Sequence, residues 1–171
     1  MMSEQTHGSG FFSFPDPVNE VSARLVAGGV VLMSLATIAF DLPWMTAVIA
    51  YGFIARALTG PTMSPLGQLV TRVITPRLPV ASRPVPGPPK RFAQGIGVAF
   101  SLTAAVLALG FGDTQAAYIV LALLVVAATL ESVFALCLGC KAFAVLMRLG
   151  VIPDEVCERC NNIGVGLRST S

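Results

Sequence analysis

Four cysteines in this chain occur as two identical spacings, Cys137-Leu-Gly-Cys140 and Cys157-Glu-Arg-Cys160, with sixteen residues between the pairs. Two residues between sulfurs suit a dithiol that closes to a disulfide at a helix start, and such thiols are reactive when a cation or a helix N-terminus stabilises the thiolate. Two such pairs at this interval also match a four-thiolate zinc site. Small apolar cysteines that simply pack between helices are the ordinary alternative. Two further residues stand out because they are charged within apolar runs, Arg56 and Glu131. His7 is the single histidine, so no Ser-His-Asp or Cys-His arrangement can be built. Phosphate-binding glycine loops, zincin motifs and a basic-aromatic nucleic-acid face are also missing, and no nucleic-acid partner is expected.

The elements that must position these residues follow from composition. Of 171 residues, 54% are hydrophobic and 12% charged, against roughly 25% charged in soluble domains; the mean hydropathy is +0.77. A water-soluble domain of this size has too much surface to hide that apolar content. The pattern instead predicts an all-α, polytopic membrane protein, since about 20 apolar residues as a helix cross a bilayer core. Four spans are expected, at about Val21–Phe40, Leu42–Leu58, Gln94–Phe111 and Ala116–Ala135. Links of a few residues, at Asp41 to Pro43 and Gly112 to Gln115, make them two antiparallel hairpins. All eleven Lys and Arg fall on one side of this arrangement, leaving Asp41 and Asp113 on the other. The positive-inside rule then places both termini and the central loop in the cytoplasm, with the lipid bilayer as the first partner. Residues 1–19 lack the basic start of a secretory signal, and Phe11, Phe12 and Phe14 suit the membrane interface.

The halves resemble each other. A shift of 67 residues superposes Arg24 on Arg91, Gly28 on Gly95 and Ser34 on Ser101; a shift of 72 superposes Asp41 on Asp113, Leu58 on Leu130, Leu66 on Leu138 and Gly67 on Gly139. Two parallel repeats would be related by an axis along the membrane normal, although apolar segments also match by chance. The expected organisation is a polar N-terminus (1–19), a first hairpin with an interfacial helix (20–75), a linker (76–90), a second hairpin with an interfacial helix (91–149) and a cysteine-containing tail (150–171). The linker holds six prolines in fifteen residues and reads as a semi-rigid spacer. The short interfacial helices are expected at about Pro65 to Ile74 and Lys141 to Leu149. Gly97, Ser101 and Ala105 recur every four residues and allow close helix approach.

On this topology Cys137 reaches the cytoplasmic headgroup level. Gly139 is expected to break the helix, so that Cys140 opens the next one beside Lys141, with Lys141 stabilising its thiolate. Cytoplasmic exposure disfavours permanent disulfides, which leaves redox or metal use for the cysteines. Glu131 should find a partner, because a charge in the bilayer costs about 2.5–3.5 kcal/mol at the centre; Arg56, at similar depth, is the expected one.

The runs Pro17-Val18-Asn19-Glu20, Phe53-Ile54-Ala55-Arg56-Ala57, Gly60-Pro61 to Ser64-Pro65-Leu66, and Gly87-Pro88-Pro89-Lys90-Arg91-Phe92-Ala93-Gln94-Gly95-Ile96-Gly97 resemble those of a bacterial membrane family. So does the more specific Glu131-Ser132-Val133-Phe134-Ala135-Leu136-Cys137-Leu138-Gly139-Cys140-Lys141. The family is domain-of-unknown-function family 4395, and the resemblance covers about residues 15 to 149. It implies a small inner-membrane protein, often encoded near thioredoxin-like or sulfur-transfer proteins, with no established activity or catalytic residues. Cys157 and Cys160 lie outside it. The expected function is a cytoplasmic-face thiol relay in which Cys137 and Cys140 work with a thioredoxin-like or sulfurtransferase partner, with no cofactor assigned to it. The rivals are a scaffold with zinc held by Cys137, Cys140, Cys157 and Cys160, and a small transporter using Arg56 and Glu131.

Overall fold

The computed structural model describes residues 17–153; Phe11, Phe12, Phe14, Cys157 and Cys160 lie outside the described residues. Helix α1 spans Glu20–Ala39, its first turn capped by the Asn19 side chain, which accepts from the Val21 N–H at 3.0 Å. The turn to α2 (Met45–Thr59) contains Asp41 at φ 51°, a left-handed geometry that Asp tolerates better than most residues. Gly60, at φ 66°, ends α2. A short helical stretch follows: α3 (Pro65–Gln68), capped by Ser64, runs on as a π-helical turn to Ile74 and a 3-10 turn at Thr75–Arg77. It occupies the place expected for the first interfacial helix.

Helix α4 spans Gly87–Ala105 and continues through a π-helical turn, Val106–Gly110. This corrects the linker boundary. Pro88 and Pro89 do not keep the chain extended; they occupy the first turn of α4, where a missing N–H leaves nothing unsatisfied. The helix therefore starts before Lys90 and Arg91 rather than after them. Helix α5 (Thr114–Phe134) is capped by Asp113, which accepts from the Ala116 N–H at 3.0 Å. Helix α6 spans Leu138–Arg148. One small departure from an all-helical chain is an antiparallel pair, β1 (Val18–Asn19) with β2 (Pro84–Val85), which ties the start of α1 to the start of α4.

Three helices are long and apolar enough to cross a membrane: Glu20–Ala39, Gly87–Gly110 and Thr114–Phe134. Their outer faces carry exposed apolar side chains such as Leu32, Leu109, Ile119 and Val126, while Val30, Ile49, Phe53, Ala104, Leu121 and Leu124 form the core. Large apolar side chains exposed on the outer faces are consistent with a membrane protein. At 15 residues, α2 is shorter, about 22 Å at 1.5 Å per residue.

The four long helices form a ring in which α1 packs chiefly on α5, and α2 on α4. Exchanging the halves maps one interface onto the other. Arg24 and Arg91, equivalent under the 67-residue shift, make matching bonds. Arg24 donates to the carbonyls of Ser132 and Val133 at the end of α5, at 3.0 and 3.1 Å, and Arg91 donates to the Ala57 carbonyl near the end of α2 at 3.1 Å. Cations suit helix C-termini because the last carbonyls have no intrahelical donor. The expected small-residue stripe is also used: Gly97, Ser101 and Ala105 are all buried, and Gly97 lies under the Phe53 ring.

Candidate functional site

The charged and sulfur-bearing side chains converge at one end of the ring, where α4, α5 and α6 meet. Because α4 starts at Gly87, Lys90 lies one turn inside the helix, 8% exposed, and its Nζ meets Glu131 Oε1 at 2.6 Å. This corrects the expected Arg56–Glu131 contact. Arg56 is 5% exposed and donates from Nε to Gln94 Oε1 at 3.3 Å and from Nη1 to Ser64 Oγ at 3.2 Å. Its guanidinium also stands 4.6 Å from the centre of the Phe53 ring, a cation–π distance. Arg56 thus borders the Glu131 cluster without touching the carboxylate.

The dithiol geometry differs from expectation in two ways. The break after α5 falls at Ala135, which takes the left-handed conformation at φ 56°. Gly139 does not break a helix; it sits in the first turn of α6, where an added Cβ would lie 2.5 Å from Cα and Cβ of Ala93. Its role is to let α6 pack closely on α4. As a result Cys137, not Cys140, is the residue that begins the helix. Cys137 has extended backbone, and its Sγ accepts from the Cys140 N–H at 3.2 Å, the position a Ser or Asp holds in an ordinary N-cap. Both thiols are free, Cys137 buried and Cys140 half-buried.

Their electrostatics follow from this placement. Donation from the Cys140 thiol, joined by Lys90 and the Cys140 backbone N–H, lowers the Cys137 thiol below its ordinary range against the opposing effects of burial and Glu131. The Cys140 thiol is pushed up, first because it is the donor in that contact and then by burial. Cys137 is therefore the favoured thiolate, reversing the order expected from Lys141. The Lys141 side chain is exposed, and the lysine acting on both sulfurs is Lys90.

Cys137 also lies between two cavities. One, of about 450 Å³, runs inside the ring and is lined by Arg56, Gln94, Gly97, Glu131 and Cys137 among mostly apolar side chains. The other, of about 380 Å³, opens between α6 and the 85–90 segment and is lined by Glu20, Lys90, Cys137, Cys140 and Lys141. Among the described residues, no group of three or more His, Cys, Asp or Glu side chains could hold a metal ion. The zinc arrangement would need Cys157 and Cys160, outside those residues.

A family model described as "Domain of unknown function (DUF4395)" matches residues 18–148, which take in all six helices and the whole cluster. The chain belongs to that family. No curated protein and no solved structure matches it. The family boundary stops at the end of α6 and so contains Lys90, Glu131, Cys137 and Cys140 but not the second cysteine pair. Lys90 is the member of the cluster that sequence reading missed. The available signal was the Pro88-Pro89 pair, which marks a helix start as readily as a spacer.

Proposed function

We propose that this chain is a four-span protein of the bacterial inner membrane with both termini and residues 65–86 in the cytoplasm, and that Cys137 and Cys140 form a thiol relay with a soluble thioredoxin-like or sulfurtransferase partner. The observation that carries this reading is the placement of Cys137 Sγ at the start of α6, accepting from the Cys140 N–H. In the span count, α2 is the fourth segment. It is packed against α4 along the ring, and its short length is met by local thinning of the bilayer.

The chemistry runs in two exchanges. The Cys137 thiolate attacks a partner disulfide, forming a mixed disulfide and releasing one partner thiolate, which takes up a proton. The Cys140 thiol loses its proton and attacks Cys137 Sγ, closing the Cys137–Cys140 disulfide and releasing the second partner thiolate. The reverse sequence reduces the pair. Persulfide transfer uses the same nucleophile: Cys137 takes the outer sulfur of a partner persulfide, and the partner leaves as its thiolate.

Trapping tests it. With Cys140→Ser, the mixed disulfide on Cys137 cannot be resolved and a covalent partner complex should accumulate; with Cys137→Ser it should not. Equal trapping by both variants, or by neither, rejects the relay. Bound zinc at about one per chain, lost on replacing either cysteine pair, would instead establish the scaffold.

A further inference from the structure

The cavity inside the ring has a chemical character that the relay alone does not use. Its lining is mostly apolar, yet the buried Arg56 reaches it with no carboxylate in contact, because Glu131 is held by Lys90. The local charges are Arg56 and Lys90 against Glu131 and the Cys137 thiolate, and oxidation of the pair consumes the thiolate and leaves one positive charge uncompensated. A buried cation without a counter-anion is costly unless something else meets it. The cavity extends from Cys137 and Glu131 at one end to Leu123 at the other, about 12 Å along α5 at 1.5 Å per residue. Phe100, Leu123 and Val126 form part of its wall and are 36%, 56% and 58% exposed, so the cavity opens beside apolar side chains of α4 and α5, the two longest apolar helices. The volume, about 450 Å³, lies within the range of small-molecule sites.

We infer that this cavity takes the ring of a membrane quinone and that the quinone is the electron acceptor of the Cys137–Cys140 dithiol. The inference rests on the thiol-relay reading and names the second substrate of the same site. Arg56 and the Gln94 amide are the polar groups placed to donate to a ring oxygen, and the uncompensated positive charge favours the anion formed as the ring gains electrons. Cys137 lines this cavity and the surface cavity beside Cys140 and Lys141, so one sulfur is reachable from the bilayer and from a soluble partner.

The step balances. Cys137 thiolate and Cys140 thiol are oxidised by two electrons and form one S–S bond, breaking the Cys140 S–H bond. The quinone takes the two electrons; the Cys140 proton and one from water go to its two ring oxygens, giving the quinol. The soluble partner, in its dithiol form, then reduces the disulfide and resets the pair. Electrons thus run from the partner to the membrane.

The test uses the full chain with Cys157 and Cys160 replaced by Ser, in lipid nanodiscs, reduced and freed of reductant. A decyl-tailed benzoquinone is added anaerobically, and quinone loss is followed by ultraviolet absorbance alongside a thiol count. One quinone reduced per two thiols lost is expected, with no reduction in Cys137→Ser. Arg56→Met and Ala127→Phe, the latter filling the cavity wall, should raise at least tenfold the quinone concentration that gives the half-maximal single-turnover rate, and Arg56→Lys should recover part of the loss. Oxidation of the pair by diamide and its reduction by dithiothreitol are measured on the same samples. If the pair cycles with these reagents but no quinone is reduced, the quinone inference fails and the relay stands. If the pair does not cycle at all, both fail. Retention of decanoate at the cavity without quinone reduction assigns it to an anionic lipid and also overturns the inference, as does a half-maximal quinone concentration unmoved by Arg56→Met and Ala127→Phe.

Discussion

Replacing Glu131 by Gln keeps the shape of the side chain and removes its charge, so the consequence depends on which cation was paired with it. In the structure that cation is Lys90, at 2.6 Å, with the two side chains 9% and 19% exposed. Unit charges about 4 Å apart attract by about 4 kcal/mol at an effective dielectric of 20. Much of that is offset by the cost of taking both ions out of water, which is why replacing both by apolar groups is often nearly neutral. Removing only one leaves the other buried and alone, at about 3–5 kcal/mol. Glu131→Gln, Glu131→Leu and Lys90→Met should therefore each cost about 3 kcal/mol, while the combination Lys90→Met with Glu131→Leu should cost less than about 2 kcal/mol. The coupling between positions 90 and 131 is then at least about 4 kcal/mol, larger than the roughly 0.6 kcal/mol average for polar pairs in a membrane bundle. Arg56, bonded to Gln94 and Ser64, should show a coupling to Glu131 below about 1 kcal/mol. Double-mutant cycles read by reversible unfolding in mixed micelles measure both. A 90–131 coupling under about 0.5 kcal/mol, or a larger coupling from Arg56, would refute the assignment.

Alkylation by a small reagent at neutral pH should reach Cys137 before Cys140, and the midpoint of its pH dependence should lie below that of free cysteine; Lys90→Met should slow the reaction and Lys141→Met should change it little, whereas equal rates for the two thiols would contradict the cap geometry. Gly97→Ala puts a Cβ 2.2 Å from the Phe53 ring, so it should destabilise by about 1–3 kcal/mol as an overpacked contact, measured by the same unfolding assay. Gly139→Ala meets the Ala93 backbone, which cannot swing away, and should push α6 off α4; loss of the Cys137-over-Cys140 difference in alkylation is the readout. Single cysteines introduced at positions 41 and 113 should label from outside the cell, and one at position 85 should not; labelling at 85 would overturn the topology.

Much of the fold was legible because the governing forces act over short stretches. Helix positions and the hydrophobic class follow from runs of apolar residues, and the structure adds the caps at the starts of α1 and α5, Asn19 and Asp113. The buried stripe Gly97, Ser101 and Ala105 was legible from its four-residue period. The start of α4 was not, because Pro88 and Pro89 are compatible with both an extended spacer and a first helical turn, and only the docking of β1 on β2 and of α4 on its neighbours selects the second. That one ambiguity propagated. With Lys90 assigned to a loop, Arg56 was the sole cation at the depth of Glu131, and the wrong pair followed. The dithiol erred for a related reason: Gly139 was read as a helix breaker, the usual meaning of Gly beside a helix end, when its absent Cβ serves the contact with Ala93. The break went instead to Ala135, whose left-handed backbone has no sequence signature.

The likeness of the two halves bears on what the polar cluster is for. The two halves support each other through matching interfaces, α1 with α5 and α2 with α4, and through matching Arg24 and Arg91 bonds to helix ends. Both short helices that follow the hairpins begin with a capping side chain, Ser64 in the first half and Cys137 in the second. Under the same shifts Lys90 corresponds to Ala23, Glu131 to Thr59, Cys137 to Pro65 and Cys140 to Gln68. The first half builds its version of this corner without a charge pair and without a thiol, and its capping side chain, Ser64, stands one residue before the position that matches Cys137. The architecture therefore does not require an ion pair or sulfur at this place. An ion pair buried among helices adds little net stability once desolvation is counted, and a cysteine caps a helix less well than a serine because sulfur is a weak acceptor. Packing and capping alone would be served at least as well by the first half's residues. What Lys90, Glu131, Cys137 and Cys140 add to the corner is a thiol lowered below its ordinary range, a second thiol within reach of it, and a fixed charge beside both, the groups on which the proposed relay draws.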